Sequence, residues 1–212
     1  QRQVTTGAAS LPTENCCCGG VFSYRDGSFT ALPGLSTLAI NDQGQVAGAA
    51  GPPARAVQWS DGLTTSLPVP MGSISIANDI NGRGEVVGDW RDPAEPACRG
   101  RTHAFHYAAG TLIELGTLGG DSSHAEAVNA TGTIVGNSRI PGGREHAFRR
   151  DTSGMADLGT LGGAHSAAFG VNDAGQIVGS SETAWSGGDT YPAYYSYGRA
   201  FLFAYGMMYD LN

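Results

Sequence analysis

The chain has 212 residues, long enough to bury a large core, and 33 of them are glycine, which suits many tight turns and short strands. Its formal charge is −7 and all twelve basic residues are arginine, so nucleic acid and anionic membrane surfaces, which need a basic face, are poor partners. No run approaches the roughly 18 apolar residues of a membrane helix, and no membrane insertion is expected.

Residues 1–20 read as an N-terminal arm. Gln1 to Ser10, QRQVTTGAAS, looks like the last strand of a hairpin such as QVAGAAG from Gln45, so the chain enters its array in mid-unit. With Gln and not Met at position 1, the expectation is a processed, secreted form. Cys16, Cys17 and Cys18 are consecutive and Cys98 stands apart. An even count in an extracellular setting points to disulfides, with three possible connectivities. Zinc is the rival, but three adjacent cysteines in an extended chain point in alternating directions and do not close a tetrahedron. No metal and no cofactor are expected.

From Val21 to Asn212 the chain is repetitive. An apolar residue is followed ten positions later by Leu in five copies: Phe22 to Leu32, Val57 to Leu67, Phe105 to Leu115, Phe148 to Leu158 and Phe201 to Leu211. A turn glycine lies between each pair, twice as Asp-Gly (Asp26-Gly27 and Asp61-Gly62). Short aromatic runs flanking such turns read as hairpins.

Between these hairpins lies a second type: INDQGQVAG from Ile40, INGRGEVVG from Ile80, VNATGTIVG from Val128 and VNDAGQIVG from Val171. Asn opening a type I turn and Gly closing it in a left-handed conformation make a bulged hairpin loop. Asn41, Asn81, Asn129 and Asn172 are therefore read as turn formers and not as ligands. Each unit is then four short antiparallel strands, a period that fits propeller blades. No helical periodicity of useful length appears.

The fold expectation is all-β: one domain over residues 1–212, a β-propeller of four-stranded antiparallel blades. Nineteen strands are predicted where five complete blades need twenty, so the ring is five-bladed, one strand short, and closes near the termini. A solenoid or open curved sheet is the alternative. The Ser/Ala-rich strands at Ser123 and Ser166 are assigned the crowded innermost position.

The sharpest repeat runs from His103 to Ser138 and returns 43 residues later. His103-Ala104-Phe105, His146-Ala147-Phe148, the two LGTLGG runs and the VNxxGxIVG hairpins resemble the HAF-repeat family of extracellular repeat proteins. The likeness spans most of the chain from about Val21 and is degenerate in the first two units, where Arg55-Ala56-Val57 stands for HAF and LGTLGG is absent. The resemblance implies an extracellular repeat protein. It implies no activity.

Intervals from the last hairpin glycine to the next aromatic strand range from 9 to 22 residues, whereas Leu67 to Asn81, Leu115 to Asn129 and Leu158 to Asn172 are all 14. Insertions therefore collect at one end, often the binding end of repeat folds. There lie Trp90, near the Cys98 loop, and the segment with Trp185, Tyr191, Tyr194, Tyr195 and Tyr197. These aromatics are the interface or glycan candidates, since flat rings give contact area at little entropic cost. Their alternative is to fold back over a sheet edge.

No nucleophile elbow, P-loop, zinc-protease or dinucleotide motif is present, so no catalytic residue is assigned and the chain is not expected to be an enzyme. His103 and His146 share their slot with Arg55 and Arg199, which marks a polar position and not a ligand. Asp42, Asp79, Asp121, Asp173 and Asp189 are scattered one per unit. The functional expectation is a non-catalytic extracellular structural or adhesive protein that self-associates, into filaments or a surface layer. The alternative is a secreted carbohydrate-binding, lectin-like module with a polysaccharide partner; a glycan-active enzyme ranks third.

Overall fold

The computed structural model describes residues 21–25, 27–32, 34–91, 101–184 and 198–212. The described residues contain eighteen strands and no helix. The first sheet is the hairpin β1 (Phe22–Arg25) and β2 (Ser28–Ala31). Four four-stranded antiparallel sheets follow in chain order. The second is β3 (Leu35–Ile40), β4 (Val46–Ala50), β5 (Arg55–Ser60) and β6 (Leu63–Ser66). The third is β7 (Ile74–Ile80), β8 (Val86–Arg91), β9 (Thr102–Ala108) and β10 (Thr111–Glu114). The fourth is β11 (Ser123–Val128), β12 (Ile134–Arg139), β13 (Glu145–Asp151) and β14 (Gly154–Asp157). The fifth is β15 (Gly162–Val171), β16 (Ile177–Thr183), β17 (Arg199–Ala204) and β18 (Met207–Asp210).

Both hairpin types form where the sequence places them. Asp61-Gly62, Ala109-Gly110 and Tyr205-Gly206 have positive φ at both turn residues, as a two-residue turn matched to strand twist requires. The Asn turns close through Gly44, Gly84, Gly132 and Gly175, whose N–H groups donate to the Asn41, Asn81, Asn129 and Asn172 carbonyls at 2.9–3.0 Å. The ten-residue interval also has a direct cause. The residue before each apolar position of that interval accepts the backbone N–H of the Leu: Val21 from Leu32, Ala56 from Leu67, Ala104 from Leu115, Ala147 from Leu158 and Ala200 from Leu211.

The glycine of each VVG or IVG run is forced by packing. Gly136 pairs with Phe148 across the sheet, and a Cβ on Gly136 would run into the His124 carbonyl oxygen. Gly88 and Gly179 are caught in the same way between a bulged first strand and the rings of Phe105 and Phe201. The bulges lie between Ala77 and Asp79, Ala125 and Ala127, and Ala168 and Gly170. A bare backbone under an aromatic ring is thus one repeated device.

The four four-stranded sheets stack face to face in chain order, and each interface holds one core. Ala47, Ala56 and Leu67 meet Ala77, Val86 and Phe105; Val87, Ala104 and Leu115 meet Ala125, Ile134 and Phe148; Val135 and Ala147 meet Ala168, Ile177 and Phe201. The Ser/Ala strands β11 and β15 are the first, edge strands of their sheets and lie across the preceding sheet. No extensive contact joins β15–β18 to β1–β6 among the described residues. The expected all-β array of four-stranded units is present. A closed five-bladed ring is a further step.

Candidate functional site

Each of the first three turn asparagines, Asn41, Asn81 and Asn129, works twice. Its Oδ1 accepts backbone N–H groups two and four residues on, as with Arg83 (2.9 Å) and Glu85 (3.0 Å) on Asn81. Its Nδ2 then donates to the carbonyl of the next turn Asn: Asn41 to Asn81 at 2.9 Å, Asn81 to Asn129 at 3.0 Å and Asn129 to Asn172 at 2.9 Å. The result is a chain of amides running from sheet to sheet. The turn-former reading holds, and the connector role is what it missed.

These turns converge on an open cavity of about 430 Å³, lined by the four asparagines with Asp42, Gly82, Ala130 and Asp173. Asp42 and Asp173, scattered in sequence, thus share one cavity. Asp173 Oδ1 accepts the Ala130 N–H at 2.9 Å. Asp79 instead turns into the interface, accepting Val128 and Ile80 N–H groups at 2.8 Å; burial pushes its carboxyl upward and those two bonds oppose the shift.

The first slot of HAF sets an imidazole or guanidinium side chain against a carboxylate of the neighbouring strand. His103 faces Glu114 at 3.9 Å, His146 faces Asp157 at 2.8 Å, and Arg199 faces Asp210 at 3.0 Å. His106, on the other side of β9, lies 4.0 Å from Glu85, and burial pulls its imidazole below the usual value. Neither histidine joins a chelating group. Among the described residues no three His, Cys, Asp or Glu side chains gather to hold a metal.

The most polar constellation straddles the third and fourth sheets. His124 Nδ1 lies 3.3 Å from Asp89 Oδ1, and its Nε2 is 2.8 Å from Thr102 Oγ1, which in turn lies 2.6 Å from Ser122 Oγ. Asn78 Nδ2 donates to Asp89 Oδ1 at 3.0 Å and to the Ala125 carbonyl at 2.8 Å. In outline this is a hydroxyl–imidazole–carboxylate relay. The hydrogen bond to Asp89 holds the His124 imidazole above its ordinary value. The group acts as a clamp across the seam. Sequence inspection overlooked it because its members lie on four strands.

Of the residues singled out from sequence, Trp90 closes β8 with its ring stacked on His103, centroids 4.3 Å apart and planes at 12°. It packs against the core between the second and third sheets. Cys16, Cys17, Cys18, Cys98, Trp185, Tyr191, Tyr194, Tyr195 and Tyr197 lie outside the described residues, as does Asp189.

The last sheet differs from those before it. Val87 and Val135 are 0% exposed, but their counterpart Val178 is 47% exposed; Leu67 and Leu115 are 2% and 6% exposed, and Leu211 is 56%. Ala56, Ala104 and Ala147 are buried, whereas Ala200 is exposed. Phe169, on the β15 bulge, is also exposed. A face that the second, third and fourth sheets bury against their successors is exposed here among the described residues. Searches with this chain match no family model and no curated protein.

Proposed function

We propose that this chain is a non-catalytic, secreted structural or adhesive repeat protein of the HAF-repeat type that works by associating with copies of itself. The observation that carries the reading is the open face of the fifth sheet. An apolar sheet face with Val178, Ala200, Leu211 and Phe169 uncovered is a surface that association buries. In this reading the five sheets are propeller blades around an axis through the asparagine-lined cavity. The hairpin β1–β2 is the outer half of the fifth blade. Strands from another copy fill the space between it and the β15–β18 face, and repetition of that contact builds filaments or a layer.

Electron microscopy and light scattering of the native protein test this. Ordered polymers, or a mass that rises with concentration, are expected, and Val178→Arg should reduce both. Uniform single particles across the concentration range would overturn it.

The cavity of the Asn turns favours a second reading, a polysaccharide-binding module, because hydroxyl-rich ligands pair with amide and carboxylate groups. Asp42→Ala and Asp173→Ala should then weaken retention on an immobilised polysaccharide while leaving the circular dichroism spectrum unchanged. Retention that survives both substitutions removes this reading.

A further inference from the structure

The three covered sheet faces are all recognised in the same way. Each covering strand carries a serine six residues before its turn Asn: Ser75 and Asn81, Ser123 and Asn129, Ser166 and Asn172. The serine hydroxyl accepts a backbone N–H from the face it covers, Ala56 to Ser75 at 2.9 Å, Ala104 to Ser123 at 3.1 Å and Ala147 to Ser166 at 2.8 Å. Two residues after the serine comes an alanine, Ala77, Ala125 or Ala168, each fully buried against that face. Six residues after the serine, the Asn carbonyl accepts the amide of the preceding turn at 2.9–3.0 Å. Hydroxyl, methyl and carbonyl are thus placed at fixed offsets along one extended strand.

The fifth sheet presents the same three receptors, and no other described sheet packs on them. Ala200 occupies the place of Ala56, Ala104 and Ala147 and is exposed; Val178 stands where Val87 and Val135 are buried. Asn172 is exposed, unlike its three buried counterparts, and its Nδ2 donates to Gln176 Oε1 at 2.7 Å, with no further turn carbonyl bonded to it among the described residues. We infer that this face binds an incoming β-strand of the pattern Ser-x-Ala followed by Asn six residues after the serine, the first strand of a repeat in a second copy of this chain. That the strand comes from a second copy rests on the self-association reading; the strand's chemistry rests on the three covered faces.

The test uses the whole protein and a synthetic peptide copying residues 162–176, GGAHSAAFGVNDAGQ. Titration should show saturable binding, with Val178, Ala200 and Asn172 amides shifted in NMR spectra. A peptide with Ala for its serine should bind about tenfold more weakly, the loss of one hydrogen bond. Val178→Arg, a change at an exposed position, should abolish binding without altering the fold; Ala200→Pro, which deletes the receiving N–H, should do the same if it folds. Saturating peptide should also dissolve assemblies of the protein. Absence of binding, or equal binding of the serine-free peptide, overturns the inference. Assemblies that ignore the peptide overturn it too while leaving self-association standing. Binding by a protein that stays monomeric at every concentration leaves the strand pattern standing and removes the self-association reading.

Discussion

At Asn129 one side chain joins a turn to a neighbouring sheet. Its Oδ1 accepts the Thr131 and Thr133 N–H groups at 3.1 and 2.8 Å, and its Nδ2 reaches the Asn172 carbonyl. Asn129→Ala strands buried donors and should cost about 2–3 kcal/mol in urea unfolding. Asn172→Ala, at an exposed turn with no sheet beyond it, should cost about 1 kcal/mol, and the difference measures the bridge. Glycine divides in the same way. Gly136→Ala sets a methyl group into the His124 carbonyl, which no rotamer change relieves, and should cost about 3 kcal/mol or prevent folding. Gly170→Ala meets only Val178 Cγ2 at 3.5 Å, an ordinary contact, and should leave the thermal midpoint nearly unchanged. A Gly in the right pattern is visible in sequence. Whether it is demanded by a turn or by an overlying carbonyl is visible only once the strands are paired.

The two central strands of the third and fourth sheets each contribute to two interfaces, with Phe148 in one core and its neighbour Ala147 in the next, so adjacent interfaces are coupled. Phe148 belongs to β13 yet fills the core between the third and fourth sheets, and Phe148→Ala should cost about 3–5 kcal/mol. The second sheet carries Val57 in that slot, paired with Gly48, and has the smaller side chain to lose. The seam clamp gives the array a pH response. His124 has a folded value raised above 6.5 by Asp89, so its contribution is complete below 6.5 and is lost as pH rises through the raised value. Glu126 beside it, raised by burial, likewise loses stability as pH rises through its own value. His106 is depressed by burial below 6.5 and runs the other way, losing stability as the pH falls below 6.5 and the unfolded chain takes up the proton. Between them the two histidines place a maximum near pH 6.5. Urea midpoints should fall on both sides of it, with His124→Gln flattening the alkaline limb and His106→Gln the acid limb. A midpoint independent of pH from 5 to 9 would refute the clamp.

For the whole molecule, stability is a sum of sheet interfaces, and the third and fourth sheets, each covered on both faces, should be the last to open. In dilute protein, amide exchange should be slowest at Val135 and Phe148 and fast at Val178 and Ala200; uniform protection would mean that the sheets do not open one by one. The strand composition of this array was legible beforehand because it depends on local chemistry. Period-two apolar runs, Asp-Gly turns and Asn-to-Gly loops specify hairpins with no help from distant residues, so five aromatic hairpins and four Asn hairpins appear where the spacing puts them. The repeat interval also announced that the hairpins combine four strands at a time. What sequence could not supply was how sheets meet, because that depends on groups far apart in the chain: the amide bridge 48 residues long from Asn81 to Asn129, the 19-residue reach from Ala104 to Ser123, and the joining of His124 to Asp89. The same holds for the open face. Val87, Val135 and Val178 are one residue type in one motif position, and their burial differs only because two of them have a sheet stacked above.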